Sequence, residues 1–324
     1  MIWCKGMPLG YLLILLCCVF MCGMAVSRKA YQRRVDSTLV TTVTFMGVYS
    51  LSVCLIGAVY GSVTGFAMLR QMDSLVLGLS LSFSVILTVN TCLCIFGAKY
   101  GSLAIVISFA NLGTLVISTV YGLISDPERN RLNGCKCIGM ALVLVILIIG
   151  FLEERRAHRA GGGNARTKAD KGGYAFLGIC LLIFLFNGSA LPIYSAFSTY
   201  RGSFGGFNFI FVYLFFCTVL CGLVLAAVGL LRRKRGGILP EIRACLSLRP
   251  LLYTLLYGGL FLFSEYCSIL AAGVLPIVVQ APLCFAVEVI LVAVADYVLY
   301  RQRITKAQYL QIGLAMAGGV LFAL

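Results

Sequence analysis

Long apolar runs, separated by short polar segments, follow one another through nearly the whole chain. A helix needs about 20 predominantly apolar residues to cross the hydrocarbon core of a bilayer. Ten runs satisfy this requirement and predict ten transmembrane helices. They lie at residues 8–27, 38–60, 75–97, 101–124, 134–152, 174–197, 206–231, 250–272, 275–299 and 306–324. The pattern therefore predicts an all-α, multi-pass membrane protein.

The composition agrees with this pattern. The 324 residues are 61% hydrophobic and only 11% charged, whereas soluble domains are about 45–50% apolar and about 25% charged. Most of the 15 Cys lie inside apolar runs, where a thiol behaves as a small hydrophobic group. The single His, His158, lies in a polar segment, and the basic run at 232–235 is expected to lie against anionic headgroups rather than nucleic acid. We therefore expect neither a metal nor a cofactor.

A polar segment at residues 153–173, with three consecutive Gly at 161–163, divides the predicted helices into two groups of five. Such stretches are typical of flexible linkers, so we expect five-helix units at 1–152 and 174–324. The turns after odd-numbered helices hold 20 Lys and Arg, and the opposite side, with both termini, holds 6. The positive-inside rule then places the linker in the cytoplasm and both termini outside it, in the cell membrane.

The two groups of five show the same order of features. Residues 101–107 (GSLAIVI) and 273–279 (GVLPIVV) both follow a short junction and lead into a long helix. A charged turn comes next in each case, at 126–131 (DPERNR) and at 301–305 (RQRIT), and a Gly-containing last helix follows. Since each group has an odd number of helices, the second must insert upside down relative to the first. Inverted repeats of this kind are common in secondary transporters.

These two hairpins resemble the EamA-type repeat of the drug/metabolite transporter superfamily. The turn Glu128-Arg129-Asn130 resembles the family turn, which has the form Glu-Arg-x-(Thr/Asn), whereas Gln302 stands where the second turn of the family usually has Glu. The resemblance covers nearly the whole chain by helix count. It implies ten helices in two inverted five-helix repeats, transport of small organic solutes and no catalytic residues. The family is too diverse for the resemblance to name the solute.

Three of the 11 acidic residues lie within predicted helices: Glu265, Glu288 and Asp296. Glu288 is near the midpoint of its helix, whereas Asp296 lies close enough to a helix end to reach the interface. A carboxylate inside a membrane helix is costly and marks a functional site. No Lys or Arg lies deep in any run, so each carboxylate must be protonated or face water. A proton-coupling site or a site for a cationic group has this requirement.

Spacing extends the site around the carboxylates. Gln280 precedes Glu288 by eight residues and Tyr257 precedes Glu265 by eight, so each pair shares one helical face. Amides within helices bind solutes or hold helices together, and both interpretations stay open here. The candidate residues for substrate binding or coupling are Glu288, Glu265, Gln280, Asn187, Asn111 and Tyr257, and those for kinks or gating are Pro276, Pro282 and Pro192.

The sequence thus favours a secondary active transporter that moves a small organic solute by alternating access, with proton coupling through Glu288 or Glu265 as a hypothesis. Such a carrier is expected to act as a monomer or homodimer among membrane lipids. A non-transporting membrane scaffold or subunit is an alternative, although it requires no carboxylate in mid-helix. A membrane-embedded enzyme is a weaker alternative, because the predicted outer turns contain no paired Asp and no His. No nucleotide-binding Gly-rich loop is present either.

Overall fold

Helices form every secondary-structure element that the computed structural model describes. The described residues are 3–36, 38–65, 72–100, 103–160, 166–200, 205–233, 237–300 and 306–323. The helices are α1 (Trp3–Gln32), α2 (Leu39–Val63), α3 (Ser74–Tyr100), α4 (Leu103–Ser125), α5 (Gly134–Ala160), α6 (Arg166–Gly188), α7 (Ala190–Tyr200), α8 (Gly206–Arg232), α9 (Leu239–Cys245), α10 (Leu248–Val274), α11 (Ile277–Tyr300) and α12 (Lys306–Ala323).

Each of the ten predicted spans falls on these helices, and the sixth is divided between α6 and α7. The interruption is at Ser189, and Pro192 occupies the first turn of α7. Proline is tolerated there because the first N–H groups of a helix have no partner within it. The helix is interrupted three residues before Pro192, and a kink or gating role for this proline stays a prediction.

Six segments are long and apolar enough to cross a membrane within the part of the chain that the structure describes. They are Pro8–Gln32, Leu39–Val63, Ser74–Cys94, Phe176–Tyr200, Gly206–Arg232 and Leu248–Val274. Four shorter apolar segments fall on the remaining predicted spans: Phe109–Ser125, Gly134–Ile146, Ile277–Glu288 and Tyr309–Gly318. The chain is an all-α membrane protein with multiple apolar helices.

Large apolar side chains lie on the outside of this bundle as well as in its core, unlike those of a soluble bundle. Large apolar side chains such as Val63 and Leu231 are 82% exposed, whereas many Ser and Thr hydroxyls are buried. Buried hydroxyls donate to backbone carbonyls of their own helix, as Ser84 does to Ser80 at 2.6 Å and Thr254 to Pro250 at 2.9 Å. Such internal hydrogen bonds are needed because hydrocarbon offers none.

Two helices pack mainly against the opposite half of the chain. α1 packs on α10 and α11, and α6 packs on α3 and α4. The α2–α8, α4–α11 and α5–α12 pairs also join the two halves. At the crossing of α4 and α6, a Cβ atom built on Gly113 would lie only 2.0 Å from the carbonyl oxygen of Phe184. Glycine lets the two backbones approach this closely.

The predicted linker at 153–173 is helical on both sides of its centre. α5 continues to Ala160 and α6 begins at Arg166, and residues 161–165 lie outside the described part of the chain. Charged residues can extend a membrane helix into water, since a helix satisfies its own backbone hydrogen bonds. The division into units at 1–152 and 174–324 stays a prediction.

Turns from the two halves meet at both ends of the bundle. At what we call the Glu241 end, the Thr38 hydroxyl donates to Glu241 Oε2 at 2.6 Å, and Arg232 Nη1 donates to Glu241 Oε1 at 2.8 Å. This contact joins the α1–α2 turn to the segment between α8 and α10. We call the opposite end the Arg129 end, where the α4–α5 turn meets the break between α10 and α11.

A second contact lies at the start of α3. The Val76 N–H donates to Asp73 Oδ1 at 2.8 Å, and the Tyr200 hydroxyl donates to Asp73 Oδ2 at 3.0 Å. These two donors hold the pKa of the Asp73 carboxyl below its usual value, with the backbone donor as the larger cause. The carboxylate thereby caps α3 and joins it to the end of α7.

Candidate functional site

Glu265 and Glu288 approach the same position on α1 from two different helices. Cys17 lies at the middle of α1, Glu288 at the middle of α11, and Glu265 slightly past the middle of α10. The Cys17 thiol is within electrostatic range of both carboxyls, and its Sγ lies 3.4 Å from the hydroxyl oxygen of Ser264. Both predicted carboxyls therefore lie within electrostatic range of one thiol of α1, at mid-helix depth.

One oxygen of Glu265 lacks a hydrogen-bond partner. Oε2 is buried, and no donor reaches it among the residues that the structure describes. Its electrostatic neighbours there are the Cys17 thiol and the Tyr49 hydroxyl, and neither group is cationic. Burial of a carboxyl without a partner is unfavourable. An acceptor in this position is available to a donor that is not part of the chain.

Four aromatic rings of α2 and α10 pack on one another, and we call them the aromatic quartet: Phe45, Tyr49, Tyr257 and Phe261. Tyr49 is within electrostatic range of Glu265. The Tyr257 ring centroid lies 4.9 Å from that of Phe45 and 5.0 Å from that of Tyr49. The Tyr49 and Phe261 centroids are 5.2 Å apart. Three of these rings are buried, whereas Tyr257 and Glu265 are only partly buried. The spacing of eight residues along α10 puts Tyr257 and Glu265 on one face of that helix, and their role in binding a solute stays a prediction.

A second aromatic group, not predicted from the sequence, lies between α3, α7 and α8. The Phe83 ring is 4.6 Å from that of Tyr213 and 4.9 Å from that of Tyr194, centroid to centroid. Both tyrosine hydroxyls are buried, and within the described residues neither has a hydrogen-bond partner. Tyr49 is within electrostatic range of Tyr213, so this group adjoins the quartet. The sequence signal for this group is Tyr213, which lies seven residues inside its predicted span, where its hydroxyl cannot reach water.

Gln280 links α11 to α10. Its Nε2 donates to the carbonyl of Ser268 at 3.0 Å and lies 3.3 Å from the Ser268 hydroxyl. The side chain is fully buried, and its Oε1 has no partner among the described residues. The amide therefore holds the two helices together with its donor group and keeps an unused acceptor.

Asn187 has more protein partners than the other predicted amides. Its Nδ2 donates to the Ala110 carbonyl at 3.0 Å and to the Thr114 hydroxyl at 2.8 Å, and its Oδ1 accepts from Asn90 at 3.0 Å. These bonds join α3, α4 and α6. Interhelical amides commonly hold helices together in this way. Asn111 is partly buried on α4, and for both amides a contact with solute stays a prediction.

Arg129 contributes a contact that sequence reasoning missed. Its Nη2 donates to the carbonyls of Gly273 and Leu275, each at 3.1 Å. These oxygens are at the end of α10, where the helix has no internal donors left for them. Burial lowers the pKa of the Arg129 guanidinium, which nevertheless stays charged. The sequence identified Arg129 only as part of the family turn.

Asn130 acts on the other side of the same break. It is 4% exposed; its Oδ1 accepts from the Val278 N–H at 3.3 Å, and its Nδ2 donates to the Asp126 carbonyl at 3.0 Å. Pro276 immediately precedes α11, and Pro282 is buried within it. Pro276 and Pro282 thus lie on either side of the first turn of α11, and Asn130 of the first half of the chain accepts a hydrogen bond from that turn. The side chain of Asp296 lies outside the described residues.

Thiols gather at two places without forming a metal site. Cys18 Sγ lies 3.5 Å from the carbonyl oxygen of Cys284, and the Ser50 hydroxyl lies 3.4 Å from Cys217 Sγ. Across the described residues, no group of three or more His, Cys, Asp or Glu side chains is arranged to hold a metal ion. The thiols pack as small hydrophobic groups.

Comparison with known proteins informs the fold alone. No protein-family model matches the chain, and no curated protein matches it. Among solved structures, 25 chains match. One, described only as "Crystal structure of protein", superposes with a TM-score of 0.69 at 12% identity. The match covers 97% of this chain and 96% of that one. The whole helical arrangement therefore recurs in a protein of very different sequence.

Proposed function

We propose that this protein is a secondary active transporter that moves a small organic solute by alternating access, of the EamA type in the drug/metabolite transporter superfamily. The observation that carries the proposal is the buried, unpartnered oxygen of Glu265 at mid-helix depth, within electrostatic range of Tyr49 of the aromatic quartet. A scaffold or subunit has no need for such an acceptor. Small-solute sites combine mostly apolar and aromatic walls with a few polar groups.

The helix contacts support an inverted repeat. The first five predicted spans are α1 to α5, and their counterparts in the second five are α6 (with α7), α8, α10, α11 and α12. When each helix is replaced by its counterpart, the α1–α10 contact becomes the α6–α3 contact, and α1–α11 becomes α6–α4. The same exchange converts α3–α8 into α10–α2, and leaves the α2–α8, α4–α11 and α5–α12 pairs unchanged. Contacts related in this way are expected when two five-helix units are related by a pseudo-two-fold axis in the membrane plane.

The turn contacts support ten crossings. At the Glu241 end, the turn after the first predicted span meets the segment after the seventh. At the Arg129 end, the turn after the fourth predicted span contacts the break after the eighth span. Asp73, in the turn after the second span, accepts a hydrogen bond from Tyr200, which follows the sixth span. Odd-numbered turns thus contact odd-numbered turns, and even contact even. We infer a cytoplasmic Glu241 end, since odd-numbered turns hold 20 of the 26 Lys and Arg.

Alternating access requires contacts that close one end and then release. Arg129 and Asn130 join the first half of the chain to the α10–α11 break, and Ser198 Oγ donates to the Ile269 carbonyl at 3.1 Å. These bonds hold the Arg129 end together. Their breakage would open a path from that end toward Glu265, along the helices that bear both carboxyls.

Flux through reconstituted vesicles tests the proposal. A solute is first selected by its ability to raise the melting temperature of the purified protein. Wild type, Glu265→Gln and Glu288→Gln are then compared with and without a pH gradient. Glu241→Gln is a control, because Glu241 lies at a helix end and pairs with Arg232.

We expect Glu265→Gln to lower flux at least tenfold and to remove its response to the gradient, since an amide cannot take up a proton in this range. The titratable groups that face Glu265 are Cys17 from α1 and Tyr49 from α2. If both variants respond to pH as wild type does, proton coupling is wrong. If wild type carries none of the solutes that stabilise it, the transporter proposal itself is wrong.

A further inference from the structure

The short helix α9 lies at the Glu241 end of the bundle, between the two long helices α8 and α10. Before it, Gly237 closes the end of α8 by donating its N–H to the Arg232 carbonyl at 3.2 Å. Its φ of 73° is a left-handed conformation that Gly adopts without strain. α9 then packs on α2 and α10. It is therefore placed where one apolar segment, Gly206–Arg232, ends and the next, Leu248–Val274, begins.

One face of α9 is fixed to the bundle. Ile238 and Cys245 are 9% and 3% exposed, respectively. Ile242 lies between them at spacings of four and three residues, which place all three on one helical face, and it is partly buried. Glu241 of the same helix accepts the hydrogen bond from Thr38 that joins the two halves of the chain at this end. The rotation of α9 about its own axis is therefore fixed.

The opposite face combines leucine with arginine. Leu239, Arg243 and Leu246 follow one another at spacings of four and three residues, so they share a face, and all three are exposed. The exposed fractions of Leu239 and Leu246 are 73% and 47%. The first turn of α10 continues this composition with Leu248, which is 73% exposed, and with exposed Arg249. We call these five residues the leucine–arginine face.

The two arginines of this face have no acidic partner. Residues 237–250 contain one carboxylate, Glu241, which is already held in the contact between the two halves. Within the described part of the chain, neither Arg243 nor Arg249 pairs with a carboxylate. Arg34, exposed just after α1, adds positive charge at the same end. The leucine–arginine face is therefore positively charged and apolar at once.

An anionic phospholipid has the chemistry that this face requires. Its phosphate can accept paired hydrogen bonds from a guanidinium, and its acyl chains can cover leucine side chains that water would surround unfavourably. A soluble phosphate would satisfy the arginines but would leave the leucines in water. A zwitterionic lipid offers acyl chains, but its own ammonium group balances the phosphate. Only the anionic lipid matches both parts of the face.

We propose that the leucine–arginine face lies in the headgroup layer and binds the phosphate of an anionic phospholipid, with its leucines at the boundary of the acyl chains. Helices with leucine on one side and basic residues at its edge commonly lie in this layer. The inference does not depend on the transporter proposal, since it follows from the surface of α9 in a membrane protein. Lipid bound here would also stabilise the docked position of α9.

The test measures hydrogen exchange in residues 238–246 of the purified full-length protein in uncharged detergent micelles. Short-chain phosphatidylglycerol is titrated into one sample, and phosphatidylcholine of the same chain length into another. Exchange of a short surface helix requires local opening, and a ligand that binds only the closed form reduces that opening. We expect phosphatidylglycerol to slow exchange at least about threefold, and to do so at roughly fivefold lower concentration than phosphatidylcholine. This comparison uses the unaltered protein, so it does not depend on whether a variant folds.

Three variants then locate the surface. Arg243→Gln combined with Arg249→Gln should remove the preference for phosphatidylglycerol, so that both lipids act at about the same concentration. Arg131→Gln is the matched control, because Arg131 is exposed at the Arg129 end, and it should keep the wild-type preference. Leu239→Gln should weaken the action of both lipids by roughly three- to tenfold, since it removes apolar contact and leaves the charges in place.

Three results would overturn the inference. The first is equal action of the two lipids on wild type, and the second is an unchanged preference in the variant that lacks both arginines. The third is equal slowing of exchange in the α4–α5 turn, which would show a general effect of lipid on the micelle. Inorganic phosphate at the same concentration should leave exchange unchanged. If it slows exchange as phosphatidylglycerol does, the face binds a soluble anion and the lipid proposal is wrong.

Discussion

Replacement of Gly113 by Ala tests the close approach of α4 and α6. The added Cβ would lie 2.0 Å from the Phe184 carbonyl oxygen and 2.8 Å from the Phe184 Cα. Ordinary Cβ contacts are at 3.4–4 Å, so the two helices must separate by more than 1 Å. The obstructing atoms belong to the backbone and cannot rotate away. Overpacking of this kind costs about 1–3 kcal/mol.

The same separation would stretch the hydrogen bonds of Asn187, which bridge this crossing. Its bonds to Ala110 and Thr114 are 3.0 and 2.8 Å long and would exceed hydrogen-bonding distance after a shift of that size. Interhelical hydrogen bonds in membranes contribute about 0.6 kcal/mol each. We therefore expect Gly113→Ala to lower the free energy of unfolding by about 2–4 kcal/mol.

Reversible unfolding in mixed micelles measures this change. Gly178→Ala on α6 is the control, since a Cβ atom there meets no described atom within 4 Å, and Ala favours a helix interior by up to about 1 kcal/mol. Gly178→Ala should leave the free energy of unfolding unchanged or raise it. A Gly113→Ala protein that unfolds with the same free energy as Gly178→Ala would refute the close crossing of α4 and α6.

Three further predictions concern polar contacts. Asn187→Ala removes three interhelical hydrogen bonds and should lower the free energy of unfolding by about 2 kcal/mol. The double variant with Gly113→Ala should lose less stability than the sum of the two single variants, because the two sites share one crossing. Arg129→Ala should accelerate amide hydrogen exchange in residues 275–279 by roughly tenfold, since the charged donor to the uncapped carbonyls is lost. Arg131→Ala is the control, because Arg131 is exposed in the same turn, and it should not change exchange in these residues. The depressed pKa of Asp73 means that its contribution to stability is complete above the unfolded value of about 3.9 and disappears as pH falls through the lower folded value. The protection factor at the start of α3, which is corrected for the intrinsic pH dependence of exchange, should accordingly stay high at pH 5 in wild type, and should be lower and independent of pH in Asp73→Asn.

Helix positions could be predicted because hydrophobicity alone decides which segments enter a membrane. The shared face of Tyr257 and Glu265 followed from helical periodicity. Their position beside Cys17 of α1 could not be predicted, since the pairing of α1 with α10 is a long-range property that no period along the chain encodes. The partners of Asn187 on α3 and α4 were inaccessible for the same reason.

Arg129 illustrates a different limit. Its position in a charged turn indicated a surface residue, and the sequence carried no sign that backbone carbonyls of another half of the chain lay within its reach. Such carbonyls exist because α10 ends at Val274 and α11 begins only at Ile277. Uncapped backbone groups at a helix end have no side-chain signature, so the residue that satisfies them is visible only in the structure.

The packing of α1 on α10 has a consequence for biosynthesis. α1 is made before α10, which begins at Leu248, roughly 220 residues later. At about 5–20 residues per second, this interval is on the order of 10–40 s. During that interval the face of α1 that carries Leu13, Ile14, Cys17 and Cys18 must be covered by lipid or an insertion factor. That face bears no charge, so the nascent helix can wait in the bilayer, whereas the carboxyl of Glu265 arrives only with α10, and α11, which also packs on α1, is made later still.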